Sequence, residues 1–367
     1  MHKQTIILII DDFTKGGAEI LLAGILPELN KRYRVLLVTL TDNCDFNKAD
    51  LFCDQKFTLG FSSKVSFFSC IIKLIKIIKK NNPVIVHSHL LYSSIIARIA
   101  CPRNIPLVYS IHSIMSKAAF NNSSFLTWLE KNTIKNSHTL IAVSNEAFHD
   151  YEQTIKMPIR KFVLKNYIND SFLVSKKANT ILRRPAQLRL VAVGNLKVVK
   201  NYSYMVESFK LLKQYDLSLD IYGQDQGNLT SMLQSEIKAH QLPIILKGKA
   251  DAVNETLGNY DIYVMCSKYE GFGLAAIEAA ALGLPLLLTD LPVLREITFN
   301  NALFFDIDDP SSFAGLIKDI FAGKYDLNAF AQKGIEIVTN NYTKEIYLKN
   351  LFGIYDKLIE TGSLQLR

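Results

Sequence analysis

Two glutamates with seven residues between them, in Ser267-Lys-Tyr-Glu270-Gly-Phe-Gly-Leu-Ala-Ala-Ile-Glu278, are the groups in this chain best placed to do chemistry. They are followed by Ala279-Ala-Ala-Leu-Gly283-Leu-Pro285 and, after an apolar run, by Glu296. A helix N-terminus offers unpaired N–H donors and roughly half a positive charge. Gly271 and Gly273 have no Cβ, so a ligand can approach that backbone closely. The pattern therefore brings N–H groups up to a phosphate while holding an acid near a sugar hydroxyl. A plain strand-to-helix turn would account for Gly-Phe-Gly alone. It needs no carboxylate at its start, and an apolar helix gains nothing from Glu278.

Val193-Gly194-Asn195-Leu196-Lys197-Val-Val-Lys200-Asn201-Tyr202 ends a strand in glycine and sets two lysines near the next helix start. The positive end of a helix repels cations unless an anion is shared between them. Lys200 is therefore expected to bind phosphate. Asp11-Asp12-Phe-Thr-Lys-Gly16-Gly17-Ala-Glu19 follows the first strand, and its adjacent glycines can let a loop close over a diphosphate. A tight turn would use them equally well, and the spacing is not the dinucleotide fingerprint Gly-x-Gly-x-x-Gly.

Three histidines follow candidate strands. His87 and His89 fall on one strand face, but no matching ligand set accompanies them, so a metal is not expected. His112 lies at a strand end, on the side expected to face a cleft. It is read as a hydrogen-bond partner for a sugar hydroxyl or a stabiliser of developing charge, with a structural role as the alternative. Ser66–Lys80 is apolar with Lys73, Lys76, Lys79 and Lys80 near one side. Such a helix either lies on an anionic membrane or covers a sheet with a solvated lysine face.

The elements that must position these groups are legible in outline. The chain has 367 residues, 49% of them hydrophobic, enough for two domains. No run of about 18 uncharged apolar residues is long enough to span a membrane. Thr5–Ile10 reads as a buried first strand, not as a signal sequence. Five cysteines without Cys-x-x-Cys spacing read as reduced cytosolic thiols. Net charge is +8; residues 1–170 hold 21 lysines and arginines against 13 acids, and residues 171–367 hold 21 of each. An anionic partner of the first half, such as a membrane surface or a charged acceptor, would explain the excess, as would ordinary solubility.

Candidate strands at Thr5–Ile10, Arg34–Leu40, Val84–His87, Leu107–Ile111, Thr139–Val143 and Lys161–Leu164 alternate with helical patterns, including Ala18–Leu29 and Val65–Lys80. The polar stretch Asn169 to Gln187, with Arg183-Arg184-Pro185, reads as a linker. The rhythm resumes with strands at Leu188–Val193, Leu217–Tyr222, Ile244–Leu246, Ile262–Met265 and Leu286–Thr289. Helices at Tyr202–Gln214, Asn228–His240 and Leu274–Leu282 separate them. This predicts two doubly wound α/β sheets in series, facing across a cleft, with ligands at the carboxyl ends of the strands. The expected layout is a domain over 1–170, a linker over 171–187, a second domain over 188–343, and a helical segment over 344–367 that crosses back.

With these pieces placed, the chain resembles the family 4 glycosyltransferases of the two-Rossmann-domain GT-B fold, over nearly its whole length. Glu270-Gly-Phe-Gly-Leu-Ala-Ala-Ile-Glu278 with Gly283-Leu-Pro285 matches that family's Glu-x7-Glu signature. Gly16-Gly17-Ala-Glu19, Val86-His-Ser-His89, Ala142-Val-Ser144, Asn166, Gly194, Lys200 and Tyr260-Asp261-Ile-Tyr-Val-Met-Cys-Ser267 are supporting matches. The resemblance implies that a nucleotide-diphosphate sugar binds mainly to the second domain, with no further cofactor. Glu270 would accept hydrogen bonds from the donor sugar, and Glu278 from the ribose. The N–H groups of Phe272, Gly273 and Leu274 would meet the diphosphate, with Lys200 neutralising it. From the first domain, His112 would contact the sugar and Gly17, beside Gly16, would approach the phosphates.

Retention of configuration without a metal is implied too; the basic first half together with the family points to a glycan or lipid-linked acceptor, in surface polysaccharide or lipid-linked glycan synthesis. No nucleic acid is implied as a partner. One departure is visible. Asn195 stands where many members carry arginine, and Lys197 is the nearest cation that could substitute. A catalytically silent GT-B binding partner and a sugar-nucleotide epimerase are the other readings. The expected location is cytoplasmic, or peripheral on the inner face of the membrane.

Overall fold

The structure, a computed structural model, describes residues 3–14, 16–46, 51–155, 160–175, 185–250 and 252–364. The chain divides into two compact units, one of Met1–Tyr167 with Lys344–Arg367 and one of Ile168–Thr343.

The first unit is built on seven strands: β1 Thr5–Ile10, β2 Arg34–Thr39, β3 Gln55–Thr58, β4 Ile85–His89, β5 Leu107–Ile111, β6 Thr139–Ala142 and β7 Arg160–Val163. All neighbours pair in parallel, in the order β3-β2-β1-β4-β5-β6-β7. Parallel strands are covered on both faces, which is why β1 and β2 read as unbroken apolar runs. The chain order reverses between β1 and β4, and open α/β sheets bind ligands at such a switch point. Asp11 and Leu90 lie there, just beyond the carboxyl ends of β1 and β4.

The second unit holds β8 Leu188–Val193, β9 Leu217–Tyr222, β10 Ile244–Gly248, β11 Ile262–Met265, β12 Leu286–Thr289 and β13 Leu303–Phe305. These are parallel in the order β10-β9-β8-β11-β12-β13. The switch point falls between β8 and β11, whose carboxyl ends lead into Gly194 and Cys266.

Two strands are additions to the sequence expectation. β3 is polar and exposed, and β13 has three residues; both lie at sheet edges, where one flank has no neighbour to demand an apolar pattern. The helix expected over Tyr202–Gln214 ends at Lys210. The expected linker contains a helix, Asp170–Val174, capped by the Asn169 side chain, which accepts from the Ser171 N–H at 3.0 Å. Arg183 and Arg184 lie outside the described residues.

The basic helix spans Lys64–Asn81, opened by a capping box between Ser63 and Ser66. It buries Cys70, Ile71, Leu74 and Ile78 in the core of the first unit, so it is a sheet-covering helix. Lys344–Leu364 also belongs to the first unit: Tyr355 is fully buried, and the Tyr347 ring packs on that of Tyr167. Among the described residues no helix is long and apolar enough to cross a membrane.

Candidate functional site

In the second unit the switch point assembles a small polar cluster. β8 leads into Gly194, and a short 3-10 turn, Val198–Lys200, precedes the helix Tyr202–Lys210. That turn is stitched to the loop leaving β11. The Lys268 N–H donates to the Val199 carbonyl at 2.8 Å, and the Cys266 thiol to the Lys200 carbonyl at 3.1 Å. Lys200 Nζ then donates to Glu270 Oε1 at 2.6 Å, and the Ser267 hydroxyl to the same oxygen at 2.6 Å. The pair is part-buried, with side-chain exposures of 23% and 14%. An acid and a base thus stand together at the strand ends, held by backbone from two crossing loops.

Two glycines make room for that reach. A Cβ on Gly194 would sit 3.0 Å from Lys200 Cε and 3.1 Å from the Tyr202 hydroxyl, so the lysine stem passes directly over this glycine. A Cβ on Gly223, just past β9, would sit 2.0 Å from the Gly194 carbonyl oxygen. Backbone cannot yield as a flexible side chain does. Gly223→Ala is therefore expected to destabilise the protein by about 2–4 kcal/mol, read as a lower urea midpoint at an unchanged m-value.

Downstream of Glu270, Gly273 takes φ +89° as the cap of the helix Leu274–Ala281. Only glycine adopts this readily, and a Cβ would also lie 2.7 Å from Leu294 Cδ2. A helix leaves its first-turn N–H groups without the usual intrahelical partners; here the Ala276 N–H donates to the Gly273 carbonyl at 3.0 Å. Phe272 is buried, edge-on to Tyr342 at 5.7 Å. Glu278, one turn into this helix, is half-buried, and burial alone pushes its carboxyl up to about 8. The fully buried Tyr263 on β11 lies within electrostatic reach of both Glu270 and Glu278, so the two carboxylates share one neighbourhood.

The remaining sequence candidates of this unit differ. Lys197 is exposed and has no ion pair among the described residues. Asn195 is half-buried, and its Oδ1 accepts from the Gln224 N–H at 3.1 Å, bracing the loop after β9. It closes a turn and adds no charge.

In the first unit, Gly16 and Gly17 open the helix Gly17–Arg32. A Cβ on Gly16 would lie 2.3 Å from Glu19 Oε2, while one on Gly17 would meet nothing within 4 Å. Neither has a positive φ. Gly16 is thus small because Glu19 folds back over it, and Gly17 is the open position.

His112, just beyond β5, lines a pocket of about 610 Å³ with Asp11, Tyr92, Tyr109, Asn122 and Glu130 among its walls. Burial pushes its imidazole down to about 4. Its Nε2 lies 3.1 Å from His89 Nδ1. Asp11 accepts from the Ser93 N–H at 2.8 Å and hydroxyl at 2.6 Å, and burial raises its carboxyl despite both bonds. Glu130 is bound by the buried Arg98 and by Tyr151. Asp11 was visible in sequence as a strand-end acid, but its partner Ser93 lies 82 residues away. Among the described residues no group of three or more His, Cys, Asp or Glu side chains could hold a metal ion.

Two parallel α/β sheets, each with its polar cluster at the switch point, define the GT-B class of fold. Anabaena HepE, solved in complex with UDP, superposes with a TM-score of 0.81 over 96% of this chain and 100% of that one; at 15% identity the likeness concerns the fold alone. The family model "Glycosyltransferase Family 4" matches residues 15–172, and "Glycosyl transferases group 1" matches residues 176–337. The chain belongs to the glycosyltransferases of the family 4 type.

Among curated relatives, the serotype-specific mannosyltransferase WbdA of Escherichia coli is 29% identical over 170 residues, which is 44% of this chain and 20% of WbdA. The chain thus spans about a fifth of the length of that relative. The UDP-Gal:alpha-D-GlcNAc-diphosphoundecaprenol alpha-1,3-galactosyltransferase of Escherichia coli is 26% identical over 249 residues, covering 62% of this chain and 63% of that enzyme.

Proposed function

We propose that this protein transfers a hexose-type sugar from a nucleotide diphosphate to a hydroxyl of a glycan or lipid-linked acceptor, with retention of configuration, in surface polysaccharide synthesis. The observation that carries the reading is the Lys200–Glu270 pair at 2.6 Å beside the glycine-capped helix tip. On donor binding, Glu270 turns to the sugar hydroxyls and Lys200 to the diphosphate. The helix tip and Lys200 then meet the leaving-group charge in the role a divalent cation plays elsewhere. Turnover is accordingly expected to persist in EDTA. The polysaccharide context draws on the named activities of the mannosyltransferase and galactosyltransferase relatives, and the nucleotide on the UDP complex of HepE.

A thermal-shift panel of UDP-, GDP- and ADP-sugars tests the donor. A ligand that binds only the folded state raises the melting temperature, by about 2.7 kcal/mol of stability at a hundredfold excess over Kd. One nucleotide class should stand out, and Glu270→Ala should abolish turnover of its sugar. A uniform lack of response would overturn the reading. A clear shift with no turnover on any acceptor would leave a silent binding protein, the outcome that Asn195 in place of a cation would favour.

We further propose peripheral contact with an anionic membrane, from the cytoplasmic side. The helices Lys64–Asn81 and Ser124–Thr133 each pack against Leu91–Ala100, forming one helical layer. Phe68, Ile72, Ile99, Phe125 and Trp128 are exposed on it, next to the exposed Lys76, Lys79 and Lys80. The lysines also suit the negative end of their own helix, but exposed aromatics serve no such purpose. Changing all three lysines to glutamine should weaken binding to phosphatidylglycerol vesicles about a hundredfold, at about 1 kcal/mol per charge. Equal binding to neutral vesicles would sink the electrostatic attachment.

A further inference from the structure

His87, His89 and His112 form one stack in the first unit, with ring centroids 4.2 Å and 5.4 Å apart. The innermost ring has a partner at each nitrogen, and the other two do not. The Tyr355 hydroxyl, kept protonated by burial, pairs with His87 Nδ1 at 2.7 Å. His87 is held neutral by burial, and its Nε2 pairs with the Ser110 hydroxyl at 2.8 Å. Its position is settled at both nitrogens.

His89 and His112 share a single contact, Nδ1 to Nε2 at 3.1 Å, and burial holds both rings neutral. One ring must donate. His89 Nε2 and His112 Nδ1 are both buried without a partner. If His112 donated from Nε2, the proton of His89 would sit on its own Nε2, leaving an N–H stranded in the core. Orphaned buried N–H groups are costlier than orphaned lone pairs, and either tautomer leaves one, so what separates the two is which N–H the pocket can reach. If His89 donates from Nδ1, the stranded N–H falls on His112 Nδ1 instead, equally buried but in the residue that lines the pocket, where a ligand can pair it; His89 is not among that pocket's walls.

We propose that His89 is a positioning residue: its Nδ1–H fixes His112 as the Nδ1–H tautomer, so that His112 meets its ligand as a hydrogen-bond donor to an oxygen atom. The atom is shut off from solvent here, so a small shift of the ring or its cover must accompany binding. The consequence for specificity is direct. A ligand offering a hydroxyl or carbonyl oxygen satisfies the orphan, and one offering only carbon or N–H at that point leaves it stranded, a difference of about fivefold or more. The link to catalysis rests on the sugar-transfer reading above; the tautomer does not.

The test uses the full chain, ligand-free, with 15N-labelled histidine. Long-range 1H–15N correlation distinguishes the two neutral tautomers, and a His112→Gln sample identifies the His112 signals. The wild type should show His112 protonated at Nδ1. His89→Phe should release it to Nε2–H, and His89→Gln, whose carboxamide can still donate, should restore Nδ1–H. In turnover, kcat/KM should fall about fivefold to tenfold in His89→Phe and recover in His89→Gln. Nε2–H at His112 in the wild type, or an unchanged tautomer in His89→Phe, would overturn the proposal. Should His89→Phe fail to fold, the wild-type spectrum alone decides. The spectra uphold or sink the tautomer whether or not any sugar nucleotide is turned over.

Discussion

Lys200→Ala is expected to lower kcat/KM for the donor by about a hundred- to a thousandfold, the scale of losing one preorganised charge at a leaving group. In the free protein the ammonium is neutralised by Glu270 at 2.6 Å. A diphosphate brings more negative charge than one carboxylate, so on the proposed reading a bound donor is expected to draw the lysine over and free Glu270 for the sugar. The effect on stability should be small, about 1 kcal/mol or less, because the pair is part-exposed and the carboxylate left behind keeps the Ser267 hydroxyl and gains water. Steady-state kinetics and chemical denaturation on one preparation check both halves. A variant within about threefold of wild type in kcat/KM would remove Lys200 from the leaving group. Lys200→Arg should recover little, since the stem already crosses Gly194 with no spare room.

Glu278→Gln should have opposite effects on binding and on stability. Burial holds the native carboxyl near 8 against an ordinary value of 4.5. The folded protein therefore keeps a proton that the unfolded chain releases. The stability this contributes is complete below pH 4.5 and is lost as pH rises through 8. Glutamine cannot ionise, so the variant should gain on the wild type across that window, by about 1–2 kcal/mol or several degrees of melting temperature at pH 8.5. Binding follows the other sign. A carboxylate that accepts two ribose hydroxyls must first lose its proton, so wild-type affinity for a nucleotide sugar should rise with pH and level off above 8. The variant should bind about ten- to a hundredfold more weakly, as a charge-assisted bond is lost, with no such pH dependence. Calorimetry in buffers of different ionisation heat would register the released proton. Affinity flat from pH 6 to 8.5 in the wild type would take Glu278 away from the ribose.

The sequence exposes groups whose chemistry and local context agree. Glu270, Glu278, Gly273 and Lys200 stand out because a buried helix start has no use for acids, nor a positive helix end for cations. The central strands are legible because both their faces are covered. β3 and β13 are not, since an edge strand as polar as Gln55–Thr58 or as short as Leu303–Phe305 carries no periodic signal. Contacts distant along the chain are equally silent. Nothing near Gly223 marks the Gly194 carbonyl that excludes a Cβ, and His87 gives no hint of a tyrosine 268 residues away. His87 and His89 look like a lone pair on one strand; only the fold adds His112 to them.

The first unit is assembled from both ends of the chain, while the second lies in one uninterrupted stretch. During synthesis, then, Ile168–Thr343 has all its pieces before the earlier-made unit does. Until the ribosome has added the helix Lys344–Leu364, β4 waits without part of its cover and His87 still lacks the Tyr355 hydroxyl at its Nδ1.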